Sequence, residues 1–71
     1  MQITSVKVHR RATTSREYDA ITVVIGDLHL HCDVSGSRDI RMAKRIADDA
    51  GCPYSCDPAV YERFPGGKSL A

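Results

Sequence analysis

The chain has 71 residues, of which 42% are hydrophobic, and it carries a formal net charge of +1. This length predicts a single domain, and the apolar fraction excludes wholesale disorder. No apolar stretch approaches the roughly 20 residues of a membrane helix, and the first residues lack the basic-then-apolar pattern of a signal peptide, so we expect a cytoplasmic protein that does not enter membranes.

The first predicted strand lies within residues 2–10, where Ile3, Val6 and Val8 stand among polar residues. Ile3 is out of phase with the two valines, which indicates either a bulge or partial cover on both faces. The polar, aperiodic segment 10–16 contains no acidic residue and predicts a mobile loop before the second strand. The basic residues of this loop are Arg10, Arg11 and Arg16.

A β-hairpin with a definite register is predicted over residues 17–34. Gly26 and Asp27 form a two-residue turn signal between runs rich in Val, Ile and Leu. With that turn, one face pairs only apolar residues: Ile25 with Leu28, Val23 with Leu30, and Ile21 with Cys32. The opposite face pairs Val24 with His29, Thr22 with His31, and Ala20 with Asp33. A slip of one residue would mix the two sets, so the register is well specified.

A helix is predicted over residues 38–50. Ser37 is the expected N-cap because its hydroxyl can accept a hydrogen bond from the first turn, and Asp39 suits the positive end of the helix dipole. Gly51 fits the left-handed position that follows a helix. The apolar residues that recur at helical spacing form one stripe: Ile40, Ala43, Ile46, Ala47 and Ala50.

The C-terminal part of the chain predicts a turn and a short helix. Residues 52–56 are read as the turn. Asp57 and Pro58 then predict the N-cap and first position of a second helix that ends near Arg63. We expect residues 67–71 to form a flexible tail, which leaves residues 1–66 as the single domain.

The predicted fold is therefore α+β: a three-stranded antiparallel β-meander packed on one face by an α-helix (β-β-β-α), with a short C-terminal helix. The stripe led by Ile40 and Ile46 is expected to cover the apolar hairpin face, which includes Leu28 and Leu30. The other face of the sheet stays open to solvent. We expect it to present Thr22, Val24, His29 and His31.

Two histidines and two cysteines make up a candidate zinc site: His29, His31, Cys52 and Cys56. Two thiolates and two imidazoles satisfy tetrahedral zinc, and a small core gains from a structural metal. However, the Cys-x3-Cys spacing is looser than a Cys-x2-Cys knuckle, and a helix over the hairpin separates the cysteines from the histidines. The three cysteines also argue against a disulfide scaffold. We expect no metal and no other cofactor.

Catalytic motifs are weak in this chain. The segment 52–56 is similar to a Cys-Pro-Tyr-Cys redox centre, but it has one residue more and follows a helix, which is the wrong place for an activated thiolate. Residues 67–69 match the end of a phosphate-binding loop, yet the first glycine of that loop would fall at Glu62. A two-layer domain of this size has little room for a cleft, so we expect no enzymatic activity.

Binding is the function class that remains. Basic residues dominate residues 1–16 and 34–45, and acidic residues dominate residues 17–33, which favours an oriented encounter with a charged partner. We expect a non-enzymatic module that binds a protein through the open sheet face, a strand edge and the basic loop, as an inhibitor or adaptor. Short, charge-segregated chains of this kind are common among phage and mobile-element proteins that act on host machinery. A homodimer through a strand edge is a further alternative, and the sequence does not determine the oligomeric state.

The alternative is a nucleic-acid-binding β-β-β-α module whose loop and helix contact phosphates. Asp33 and Asp19, if they lie on the open face, would repel phosphate and weaken this alternative. Both hypotheses use the same predicted partner-binding residues: Arg10, Arg11, Arg16, Thr22, His29, His31, Arg38, Arg41 and Arg45.

Overall fold

The predicted α+β architecture is confirmed by the computed structural model, which describes residues 2–64. Six elements follow one another: β1 Ser5–Ala12, β2 Glu17–Ile25, β3 Leu28–Asp33, α1 Ser37–Ala50, β4 Tyr54–Cys56 and α2 Pro58–Arg63. The strands form one mixed sheet in the order β3-β2-β1-β4. The predicted antiparallel meander is present, and β4 adds a parallel strand next to β1. The predicted tail at 67–71 lies outside the described residues.

The hairpin register is confirmed pair by pair. Ile25 lies opposite Leu28, and the remaining five predicted pairs follow in order along β2 and β3. Gly26 has a φ of 60°, a left-handed conformation that glycine adopts without a steric penalty. The turn therefore takes the type of residue that a two-residue hairpin requires.

Strand β1 is longer than predicted, and the basic loop is shorter. Arg10 and Arg11 lie in β1, where they pair with Asp19 and Tyr18 of β2. The connection is reduced to residues 13–16 and is closed by a 2.8 Å hydrogen bond from the Thr13 amide to the carbonyl of residue 16. Because successive side chains on a strand point to opposite faces, Arg10 and Arg11 do not act on the same side of the sheet.

Strand β4 lies in the segment that was predicted as a turn. Its three residues pair with Val6, Lys7 and Val8. The pairing is extended at both ends, because the Val6 amide donates to the Pro53 carbonyl at 3.0 Å and the Asp57 amide donates to the Val8 carbonyl at 2.9 Å. Three residues are too few to show a strand period, so no local pattern predicts this element.

The start of α1 differs from the prediction, and its end agrees. Gly36 is the N-cap residue and no side chain caps the helix, so the prediction of Ser37 as N-cap was wrong. Asp39 instead ties the helix to the preceding loop, because its carboxylate accepts from the amide and the hydroxyl of Ser35 at 2.8 and 2.9 Å. The helix ends at Gly51, whose φ of 65° is the predicted left-handed geometry.

Helix α2 forms as predicted. Asp57 is its N-cap, and the carboxylate accepts a 2.9 Å hydrogen bond from the Ala59 amide. Pro58 occupies the first turn, where its missing N–H costs nothing. Val60 is fully buried and joins α2 to the core.

The core lies over β1 and the part of β2 beside it, and not over β3. Because β3 and β4 lie at opposite edges of the sheet, α1 has to cross the sheet to connect them, and it packs against β1 and β4. Leu28 and Leu30 remain 52% and 48% exposed, so the expectation that α1 would cover them was wrong. The buried apolar residues are Val6, Val8, Ala20, Ile21, Val34, Ile40, Ala43, Ala47 and Val60.

Candidate binding site on the open sheet face

The face of the sheet opposite the helices is uncovered within residues 2–64. Both helices send their buried side chains to the side of Val6, Val8 and Ile21. Since side chains alternate along a strand, the intervening residues of each strand point the other way. We call this surface the open face; its polar strand residues are Ser5, Lys7, His9, Arg11, Tyr18, Thr22, His29, His31, Asp33 and Ser55.

A chain of hydrogen bonds crosses the middle of the open face. The hydroxyl oxygen of Thr22 lies 2.6 Å from Nε2 of His9 and 2.8 Å from Nδ1 of His31. Nε2 of His31 lies 3.2 Å from Nη1 of Arg11. A guanidinium can only donate, so Nε2 of His31 accepts and its Nδ1–H donates to Thr22. The Thr22 hydroxyl oxygen is shared between this Nδ1–H and Nε2 of His9, so Thr22 links the two rings.

Thr22 is fully buried beneath these side chains. We expected it to be exposed for contact with a partner, and the prediction was wrong on that point. A buried hydroxyl needs a hydrogen-bond partner, and here two imidazoles supply it. Thr22 therefore positions His9 and His31 on the open face.

The surroundings of the two histidines lower the pKa of both rings, which favours their neutral forms. Loss of hydration lowers the pKa of His9, and the neighbouring Lys7 lowers it further. Loss of hydration and the charge of Arg11 lower the pKa of His31. Each pKa is depressed first because the charged ring would lose hydration, and second because nearby cations oppose the added proton. Around neutral pH, Lys7 and Arg11 carry the positive charge of this region.

One end of the open face carries a second cluster, built on Tyr18. Nε of Arg11 donates to the Tyr18 hydroxyl at 3.1 Å, and the guanidinium of Arg16 lies 4.2 Å from the ring centroid, within the range of a cation–π contact. Arg16 also donates to both carboxylate oxygens of Asp33, at 3.1 and 3.2 Å. The negative charge of Asp33 is therefore compensated, and one face of the Tyr18 ring is covered.

The substitution Arg11→Gln is expected to raise the pKa of His31, because it removes a cation that opposes protonation of the ring. The measurement is an NMR titration of the His31 ring protons. Arg16→Gln is the matched control, since Arg16 contacts Tyr18 and Asp33 but not the histidine. An unchanged His31 pKa in Arg11→Gln, or an equal rise in both variants, would contradict the described network.

Arg10 does not reach the open face. It lies on the helix side, where its Nη1 is 3.3 Å from Oδ1 of Asp19 and its Nη2 is 3.5 Å from Glu17. Arg63 of α2 donates twice to the same carboxylate of Asp19. Asp19 is only 7% exposed, so the concern that it repels phosphate from the open face was wrong. Its phase with Ile21 and Val23 could have placed it on the helix side.

The arginines of α1 lie in the other layer of the molecule. Arg38, Arg41 and Arg45 surround a shallow depression of about 350 Å³ together with Met42. Arg45 also lies 3.8 Å from Asp49, in an exposed pair one turn apart. The predicted partner-binding residues are thus divided between two opposite sides of the molecule.

The four candidate zinc ligands are not brought together. His29 and His31 lie on β3, and Cys56 lies on β4 at the other edge of the sheet, about 14 Å away at the usual strand spacing. In the part of the chain that the structure describes, no three His, Cys, Asp or Glu residues are grouped to hold a metal. Burial raises the pKa of the Cys56 thiol, which works against a reactive thiolate there.

Comparison with known proteins assigns this chain to no group. No family model, no curated protein and no solved structure matches it significantly. None of the helices within residues 2–64 is both long and apolar enough to cross a bilayer. A functional conclusion therefore has to be based on the geometry of the open face.

Proposed function

We propose that this protein is a small, non-enzymatic binding module that docks an acidic surface of another protein on its open face. The observation that supports this most is the hydrogen-bonded array of Arg11, His31, Thr22 and His9 on a sheet face that no described element covers. Side chains that are already fixed lose less conformational entropy when a partner binds.

The charge of the open face favours an anionic partner. Lys7 and Arg11 lie beside the two imidazoles. Of the described carboxylates near this cluster, Asp33 is bound by Arg16, and Asp57 opposes the cations only at His9, whose pKa it raises against the stronger lowering effects of burial and Lys7. Complementary charge mainly orients the encounter and fixes its register. The ammonium of Lys7, the guanidinium of Arg11 and the hydroxyl of Tyr18 can all donate hydrogen bonds to carboxylates. The open face therefore offers an acidic protein segment both positive charge and hydrogen-bond donors for its carboxylates.

The test uses a glutamate-rich peptide as the probe and follows amide shifts by NMR on the full chain. We expect shifts at Lys7, Thr22 and His31, and an affinity that falls with added salt. The double variant Lys7→Gln/Arg11→Gln removes two partly exposed cations at about 0.5 kcal/mol each. It should therefore bind the probe about fivefold more weakly.

The matched controls separate this face from a general charge effect. Arg38→Gln/Arg45→Gln removes the same charge from the outer side of α1, and it should leave the affinity unchanged. A glutamine-rich peptide of the same length should produce no shifts on the open face. Shifts confined to α1, or equal weakening by both double variants, would overturn the proposal.

Nucleic-acid binding is the second candidate, and one observation favours it. Tyr18 stands between the guanidiniums of Arg11 and Arg16, an arrangement that could stack a base and hold a phosphate. Two features make it the weaker candidate. Arg16 already covers one face of the ring, and the basic residues of α1 lie on the far side of the molecule, so the positive footprint is not continuous.

A salt titration with random duplex and single-stranded DNA separates the two candidates. Phosphate contacts predict an affinity that falls steeply with salt, with loss of binding in Arg11→Gln. Absence of detectable binding at low salt would eliminate the nucleic-acid candidate. Tight binding to DNA together with no response to the glutamate-rich peptide would instead replace the protein-binding proposal.

A further inference from the structure

Strand β3 forms one edge of the sheet and is exposed along its whole length. Leu28 and Leu30 are about half exposed, at 52% and 48%, and they point to the helix side, where α1 does not reach them. An open edge that also carries uncovered apolar side chains is a template for pairing with another strand. Along β3, apolar residues on the helix side alternate with polar residues on the open face. A strand that pairs with this edge should show the same alternation.

The hydrogen-bonding pattern fixes which groups of β3 face outward. Ile25 and Leu28 flank a two-residue turn, so they form a hydrogen-bonded pair, and such pairs alternate along an antiparallel ladder. The Val34 amide continues the series by donating to the Asp19 carbonyl at 2.9 Å. The even-numbered residues of β3 therefore bond to β2. The N–H and C=O groups of His29, His31 and Asp33 point away from the sheet.

We propose that β3 pairs antiparallel with β3 of a second copy of this chain, about a two-fold axis through His31. In this register His31 lies opposite His31 of the second copy. His29 of each copy lies opposite Asp33 of the other copy. All three outward-pointing residues then form hydrogen-bonded pairs. The eight strands of the two copies become one continuous sheet.

Charge and polarity favour the register centred on His31 over the register centred on Leu30. On the open face, each Asp33 lies between its own Arg16 and a histidine of the second copy, which is a favourable cross-strand pair. On the helix side, Leu30 lies opposite Cys32, so apolar residues meet across the axis. A two-fold axis through Leu30 would instead place Asp33 opposite Asp27 and leave the outward groups of Asp33 without a partner strand.

The dimer goes beyond the proposed function because it uses the edge of the sheet and not the open face. It also has a geometric effect on that face. A two-fold axis perpendicular to the sheet keeps both open faces on the same side, so the dimer presents two copies of the polar array side by side. A partner with two acidic segments would be held by both.

The association is tested by sedimentation of the full chain over a range of concentrations. We expect a reversible monomer–dimer equilibrium that Leu30→Lys shifts to at least tenfold higher concentration, because lysine on an edge strand opposes pairing. Met42→Lys is the matched control, since Met42 is similarly exposed, at 53%, but lies on α1. Circular dichroism checks that both variants fold. A monomer at all concentrations, or equal shifts in both variants, would overturn the proposal.

The register is tested separately by cross-linking. Leu30 and Cys32 of the two copies form a non-hydrogen-bonded pair, whose Cα atoms lie about 4.5 Å apart, within the range that a disulfide spans. Oxidation of Leu30→Cys with diamide, which takes up the two electrons and two protons of the thiols, should link the introduced thiol to Cys32. Leu28→Cys should not link to Cys32. The reverse result would show the register centred on Leu30 and overturn the proposed one.

These outcomes are independent of the glutamate-peptide experiment. A monomeric protein that binds the peptide on its open face retains the proposed function and loses the dimer. A dimer that ignores the peptide retains the β3 pairing and loses the proposed function.

Discussion

The substitution Ile40→Ala is expected to leave the domain largely unfolded at room temperature. Ile40 is fully buried, and it is the largest of the fully buried side chains in the described residues, followed by Val6 and Val8. Truncating a buried isoleucine to alanine costs about 2–5 kcal/mol, because apolar contacts are lost and a cavity remains. A core of this size supplies only about 3–5 kcal/mol in total. One substitution can therefore remove most of the free energy of unfolding.

Urea denaturation followed by circular dichroism measures this loss. Met42→Ala is the matched control, because Met42 lies on the same helix two positions from Ile40. Its side chain is 53% exposed and is also shortened to alanine. Such a surface change should alter the free energy of unfolding by no more than about 0.5 kcal/mol. If Ile40→Ala unfolds at the same urea concentration as Met42→Ala, α1 does not pack on β1 as described.

The substitution Asp19→Asn is expected to destabilise the protein at neutral pH and to remove part of its acid sensitivity. Asp19 is nearly buried and accepts hydrogen bonds from Arg63 and Arg10. Asparagine keeps the shape but loses the charge, so charge-assisted bonds become neutral ones. We expect a loss of about 1–2 kcal/mol, toward the low end because both guanidiniums still reach water.

The pH dependence follows from the pKa of Asp19. Its hydrogen bonds from Arg63, against the opposing effect of burial, hold this pKa below its ordinary value. The unfolded chain therefore binds the proton first as the pH falls, so the stabilisation is present above about pH 4 and is lost as the pH falls through the folded pKa. Asp19→Asn should show a shallower loss of stability below pH 4 than the wild type.

Two comparisons make this result specific. Asp39 also has a lowered pKa, through its bonds from Ser35, so some acid sensitivity remains in the variant. Asp33→Asn is the matched control, because Asp33 and Arg16 form an ion pair that is more than half exposed and is worth little. Equal losses in Asp19→Asn and Asp33→Asn would contradict the buried position of Asp19.

The sequence determined the hairpin because local signals agreed there. Gly26 fixed the turn, and the alternation around Val23 and Leu30 fixed the register. It failed to place α1, since that position depends on β4. Residues 54–56 pair with β1, which lies far from them along the chain. A three-residue segment contains no sequence pattern that predicts such a pairing. Without β4, the hairpin offered the largest predicted apolar surface for the helix to cover.

The candidate site was half predicted for a related reason. Thr22, His29 and His31 were placed together by the hairpin register. Lys7, His9 and Arg11 were not, because the length of the connection between β1 and β2 was misjudged and the register between these strands depends on it. The phase of Val6 and Val8 carries the missing signal, since it directs the residues between and after them to the opposite face.

The parallel pairing of β4 with β1 has a consequence for the order in which the chain assembles. The β1–β2–β3 meander pairs only strands that follow one another along the chain, and shorter loops close more quickly than long ones. The bond from the Val6 amide to the Pro53 carbonyl closes a much longer loop, from residue 6 to residue 53, and its entropic cost is correspondingly larger. We therefore infer that the meander forms early and that β4, added last, secures α1 over β1.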